Sequence, residues 1–116
     1  MRNFRKLVVW QKSMKLFVDI YKFSVLLPPE ERFNLMVQIR KDVVSISSNI
    51  AEGCSKSSDA HFKKFLEDSI GSAFELESQL IGISLVFSHL KEGAESHFPL
   101  LTEIQKMLNA LIEKLK

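Results

Sequence analysis

Gln38-Ile39-Arg40-Lys41-Asp42-Val43-Val44-Ser45-Ile46-Ser47-Ser48-Asn49-Ile50-Ala51-Glu52-Gly53 is a helix by pattern. With Met36 just before it, Met36, Ile39, Val43, Ile46 and Ile50 recur at spacings of 3, 4, 3 and 4, the seam of a helix packed in a bundle. A polar residue stands one position before each later member of that seam: Gln38, Asp42, Ser45 and Asn49, with Glu52 continuing the line. A helix buried only inside its own monomer does not need so regular a polar line beside its seam. The pattern predicts hydrogen-bonded contact with another helix, of this chain or of another subunit, and does not point to catalysis.

Three more segments follow the same period. Before this stretch, Leu7, Trp10, Met14, Phe17 and Tyr21 keep heptad spacing, and Val9, Leu16, Ile20, Phe23 and Leu27 form a second apolar line beside them. This predicts a helix over about 7–27 with a wide apolar face, stopped by Pro28-Pro29. The second helix is then expected over about 30–53, with Glu30-Glu31 at its positive end and Gly53 as its C-cap. After the polar link Ser55–Ser58, with Ser58 or Asp59 as cap, a third helix is expected over about 59–90. Its seam is Leu66, Ser69, Ala73, Leu76, Leu80, Ile83, Phe87 and Leu90, and its own polar line is Asp68, Ser72, Glu75 and Gln79. Gly71, Ser78 and Gly82 lie on another line, where small side chains let a neighbouring helix come close; the alternative is that the glycines are tolerated at about 1 kcal/mol each relative to alanine. Lys91-Glu92-Gly93 reads as a break, and the last helix, over about 95–116 with Glu95 or Phe98 as its start, takes Pro99 into its first turn and shows Leu101, Ile104, Leu108, Leu111 and Leu115 as seam.

Four amphipathic helices with short connections predict an all-α, single-domain, antiparallel up-down-up-down four-helix bundle over residues 1–116. The bulk numbers agree. Hydrophobic residues are 46% and charged residues 26% of 116, and four glycines with three prolines leave little room for a turn-rich β fold. No apolar run reaches the roughly 20 residues that span a bilayer, the N-terminus does not read as a signal peptide, and the single cysteine, Cys54, fits a reducing cytoplasm. The expectation is a cytoplasmic protein with no membrane contact.

Charge is segregated along the chain. Residues 1–28 hold Arg2, Arg5, Lys6, Lys12, Lys15 and Lys22 against Asp19 alone, a net +5, so the other 88 residues sum to −3 within an overall +2. The line Arg5, Lys6, Lys12, Lys15 and Lys22 is a candidate for RNA or DNA phosphate, most of all if several copies ring it together. The plainer reading is solubility and pairing with Asp19, Glu30 or Glu31. Without exposed aromatics interleaved among these cations, no base-stacking platform argues for single-strand recognition.

Catalytic and metal-binding patterns are missing. None of His61, His89 and His97 has a glutamate three positions before it, as di-metal carboxylate bundles require, and His-Glu-x-x-His is absent. One cysteine with scattered histidines does not make a zinc site. Gly53 and Gly71 are isolated rather than parts of a phosphate loop. Cys54 after Gly53 sits at a helix C-terminus, where the dipole disfavours a thiolate. The chain is expected to be no enzyme and to take no cofactor and no metal.

Several pieces together resemble a known bacterial family of four-helix bundle proteins, first found encoded in intervening sequences of the large-subunit ribosomal RNA gene. They are Phe4-x-x-Leu7-x-Val9-Trp10-Gln11, Ile20-Tyr21, Pro29-x-Glu31, Leu35-x-x-Gln38-Ile39-Arg40, Ser45-Ile46-x-x-Asn49-Ile50-Ala51-Glu52-Gly53, Phe65-Leu66 and Gly71-Ser72-x-x-Glu75-Leu76-Glu77. The chain departs from the family at Asp42 and Val43, where a small or basic residue is frequent, at Ser47, where proline is, and at Lys56, where arginine is. Asp42 lowers the local positive charge. The resemblance implies a homopentamer without enzymatic activity. The accessory variability determinant of diversity-generating retroelements is similar to this family and implies a nucleic-acid partner and a protein partner. Two readings of function stay open: contact with RNA or DNA through the basic first helix, or a protein scaffold without it.

The same residues frame the candidate interfaces. Gln38, Asn49 and Glu52 either meet Ser72, Glu75 and Gln79 across a helix or subunit contact, or the two polar lines are solvated flanks. Trp10, Phe17 and Tyr21 on one line with Leu16, Ile20 and Phe23 on the next either mark an interface outside the monomer core or make the first helix a central one. Gly71 belongs with these as a position of close approach.

Overall fold

The computed structural model describes residues 1–116. Its principal extents are 45 × 22 × 20 Å. Five helices pack as a bundle: α1 Val8–Ser24, α2 Leu35–Cys54, α3 Asp59–Val86, the short α4 Lys91–Glu95, and α5 Phe98–Lys114. Helix α2 packs against α1 and α3, and α5 against α3 and α1, so α1 and α3 stand diagonally across the bundle.

The core is the set of seams. Ile39, Val43, Ile46 and Ile50 of α2, Leu66, Ala73, Leu76, Leu80 and Ile83 of α3, and Leu101, Ile104 and Leu108 of α5 are buried together. Of the two apolar lines on α1, Val9, Leu16, Ile20 and Phe23 enter this core. On the other line Trp10, Met14 and Phe17 are half-buried and Tyr21 is exposed. Core serines are satisfied at home: Ser13 Oγ donates to the Val9 carbonyl at 2.7 Å, and Ser84 Oγ to that of Ile81 at 2.7 Å.

Several boundaries differ from those expected. α1 ends at Ser24, although Leu27 beyond it is still buried. Glu30 and Glu31 lie in a 3-10 turn, Pro29–Glu31, and α2 begins only at Leu35. Gly53 does not cap α2 but lies inside it, without a positive φ. Ser58 does cap α3, its hydroxyl accepting from the His61 N–H at 3.2 Å. α3 stops at Val86 rather than continuing to residue 90. The chain turns at Phe87, and a 3-10 turn, Ser88–Leu90, returns Leu90 to the core. Lys91-Glu92-Gly93 is not a break but the start of α4, which buries Ala94. At Gly93 a Cβ would come within 3.0 Å of the Phe23 ring, so the bare backbone lets α4 close over the end of α1.

Candidate interaction surfaces

The polar lines of α2 and α3 face one another, but with partly different members from those expected. Ser45 and Ser72 share a hydrogen bond of 2.7 Å, and Asn49 Nδ2 donates to Ser45 Oγ at 3.0 Å and to its carbonyl at 2.9 Å. One turn deeper, Ser69 Oγ donates to the Ile46 carbonyl at 2.8 Å, tying one helix to the backbone of the other. Asp42 is buried beside Gln79. Burial pushes its carboxyl above the ordinary range; the Gln79 side chain, hydrogen-bonded to it, pulls the other way, the Glu75 carboxylate adds to the rise, and Lys41 opposes it. One oxygen of each, Asp42 Oδ2 and Gln79 Oε1, is buried without a partner. Gln38, Glu52 and Glu75 are exposed. Asp42 and Ser45 thus hold the α2 side of the seam.

Next to this seam the two helices come close at Gly53, where a Cβ would stand 2.9 Å from Phe65 Cβ and 3.1 Å from the Phe62 ring. Gly71 and Gly82 are different: a Cβ at either meets nothing within 4 Å. No helix of the same chain approaches them.

The cations of the first helix are unequal. Lys12 pairs with Glu103 of α5 at 2.9 Å, and Lys15 with Asp19 at 2.9 Å within α1. Arg5, Lys6 and Lys22 are exposed and form no ion pair. Trp10 meets the edge of Phe4 at 5.0 Å, and Phe17 stacks on Tyr21 at 5.1 Å. A cation that sequence reasoning passed over, Arg40, sits 4.7 Å over the Tyr21 ring and donates to Ser24 Oγ at 2.8 Å, joining α2 to α1. Its place in the Gln38-Ile39-Arg40 run was the available signal.

The clefts are shallow. One of about 400 Å³ gathers Asp19, Ser96 and His97 with Lys22 and Phe23. These are the residue types of a hydrolytic triad, but they are not wired as one. Ser96 Oγ donates to the Gly93 carbonyl at 2.6 Å, and the His97 ring meets the edge of Phe23 at 5.2 Å. Burial lowers the His97 pKa, with the Asp19 carboxylate opposing. The Cys54 thiol is buried, which raises its pKa although Arg2 and the terminal amine pull it down; it is a poor nucleophile. No three His, Cys, Asp or Glu side chains cluster as a metal site would need, and no helix is long and apolar enough to cross a membrane.

Comparison with known proteins covers nearly the whole chain. Residues 5–110 match the model of a family described as 23S rRNA-intervening sequence protein. Among solved structures, the chain is similar to a protein of unknown function from the S23 ribosomal protein family of Bacteroides thetaiotaomicron. The two are 32% identical with a TM-score of 0.80, over 90% of this chain and 98% of that one. No curated protein matches the sequence.

Proposed function

The chain belongs to the 23S rRNA-intervening sequence protein family, and from that membership we propose that it works by binding rather than by catalysis. In this reading it is an up-down-up-down bundle that assembles with copies of itself in the cytoplasm, five of them by the resemblance, and touches RNA or DNA phosphate through the basic start of the chain. The observation that carries the nucleic-acid part is the segregation of charge. A net +5 lies within residues 1–28, and Arg5, Lys6 and Lys22 are exposed there without an acidic partner. Phosphate backbones respond to such density, more so when it is repeated around an assembly.

A second reading, a protein scaffold without nucleic acid, draws support from the Lys12–Glu103 and Lys15–Asp19 pairs, which neutralise two of the five cations of the line. Light-scattering mass after size exclusion, with and without a short structured RNA, separates the two. Complex formation at low salt that disappears at high salt, and that a double Arg5→Glu, Lys6→Glu variant loses, supports the first. An assembled protein indifferent to RNA at any salt concentration moves the function to the scaffold.

A further inference from the structure

Two faces of the bundle have no partner within the chain, and they are complementary. The first is the outer face of α3. Phe74, Ile81 and Leu85 are 59%, 42% and 79% exposed, and their spacings of 7 and 4 place them on one helical line. Gly71, Ser78 and Gly82 run beside it. Because a Cβ at either glycine would meet nothing, packing inside the chain gives no reason for two residues that each cost a helix about 1 kcal/mol relative to alanine. A shallow trough of about 260 Å³ lies there, lined by Phe74, Glu77, Ser78 and Ile81. Lys64 pairs with Asp68, and beyond that pair the charge is of one sign: from Ser69 to Leu90 the chain has Glu75 and Glu77 and no lysine or arginine.

The second is the outer face of α1. Val18 and Val25 are exposed and Met14 half-buried, next to the exposed, unpaired Lys22 and to Lys15, which is paired with Asp19. It is an apolar strip edged by positive charge, where α3 offers an apolar strip edged by negative charge. Since α1 and α3 are the diagonal pair, one chain cannot bring these faces together, but two chains can.

We infer that the outer face of α1 in one copy seats on the outer face of α3 in the next. Met14, Val18 and Val25 then cover Phe74, Ile81 and Leu85, the glycines allow close approach of the incoming helix, and the unpaired Lys22 comes to the acidic edge. The two surfaces differ, so the contact is heterologous: every copy uses both faces, and growth ends only when a ring closes. This rests on the self-association proposed above and assigns its surfaces.

The test is light-scattering mass of the full chain as a function of concentration, joined to disulfide trapping. Wild type is expected to run at a multiple of 13.3 kDa. Leu85→Glu, which adds a charge at a position with almost no contact inside the chain, is expected to weaken assembly at least about tenfold without lowering the melting temperature of the monomer. Lys22→Glu weakens it less, and Glu75→Lys added to Lys22→Glu recovers part of the loss. Val18→Cys with Ser78→Cys, oxidised, gives a ladder of linked chains, and neither single variant links to itself. If wild type stays at 13.3 kDa at every concentration, self-association itself fails. If wild type assembles but Leu85→Glu leaves its mass unchanged, or Val18→Cys alone links chains, the surface assignment is overturned while self-association stands.

Discussion

The inner and outer sides of α3 are built with the same small residues and use them in opposite ways. On the inner side, Ser69 and Ser72 are buried and bonded to α2, and the bare Gly53 of α2 is filled by Phe62 and Phe65. On the outer side, Gly71, Ser78 and Gly82 leave space that nothing in the chain fills. A small residue in a helix therefore reports close packing only when its surroundings are known. The same spacing serves a contact already made and one still open.

Substitutions can break or sharpen this contrast. The largest effect is expected at Gly53. Gly53→Leu drives a side chain into Phe65 Cβ, which the α3 backbone holds in place, and should cost about 3 kcal/mol in chemical denaturation. Asp42→Asn comes next, and here the sign depends on pH. The folded-state pKa of Asp42 lies above its unfolded value near 3.8, so the folded state holds the proton more tightly. Stability at this group is greatest at acid pH and is lost as pH rises from about 3.8 through the raised value. Asparagine is neutral throughout. Asp42→Asn should therefore raise the melting temperature at pH 7 and flatten its fall across that window; an unchanged profile would mean that the buried carboxyl is solvated in solution.

Gly71→Ala and Gly82→Ala should show the reverse of Gly53. In thermal melts of the Leu85→Glu background, diluted until it is monomeric, each is expected to stabilise by about 0.5–1 kcal/mol, from helix propensity alone. A loss there instead would show that the outer side is already filled within the chain. Smallest is Glu103→Ala, which removes the half-exposed Lys12 pair and should change stability by less than about 1 kcal/mol, less still in high salt.

The seams were legible because burial follows helical period: Ile39, Val43, Ile46 and Ile50 are all in the core, as are Leu66, Leu76 and Leu80. What period does not encode is direction and depth. Phe87 and Leu90 keep heptad spacing, yet the chain bends between them, because Leu90 and Ala94 reach the core only after a turn. Both apolar lines of α1 had helical spacing, and only the packing of α2 and α5 decides that the Leu16 line is inside and the Trp10 line half outside. Each of the two readings of the polar lines holds for part of them: Ser45 meets Ser72 and Asp42 meets Gln79, while Gln38, Glu52 and Glu75 are solvated. The exposed Gln38 and Glu52 still fell outside the hydrogen-bonded seam: α2 turns about 100° per residue, so the buried Gly53 meets α3 while Glu52 next to it faces solvent. Among the cations, the Lys15–Asp19 pair was readable as i,i+4, whereas Lys12–Glu103 joins residues 91 positions apart and exists only in the fold.

The start of the chain is strapped over the place where α2 ends. The Arg2 N–H donates to the Cys54 carbonyl at 2.9 Å, its guanidinium pairs with Asp59 and lies 4.0 Å over the Phe62 ring, and beneath it the only thiol of the molecule is shut from solvent. Cys54 is therefore a clock built into the protein. A thiol reagent can reach it only when this strap and the end of α2 open, so the labelling rate under native conditions follows the population of the open form and, once reagent is concentrated enough to outpace reclosing, the opening rate itself. The protein can time the breathing of one end of its own bundle with no added probe site.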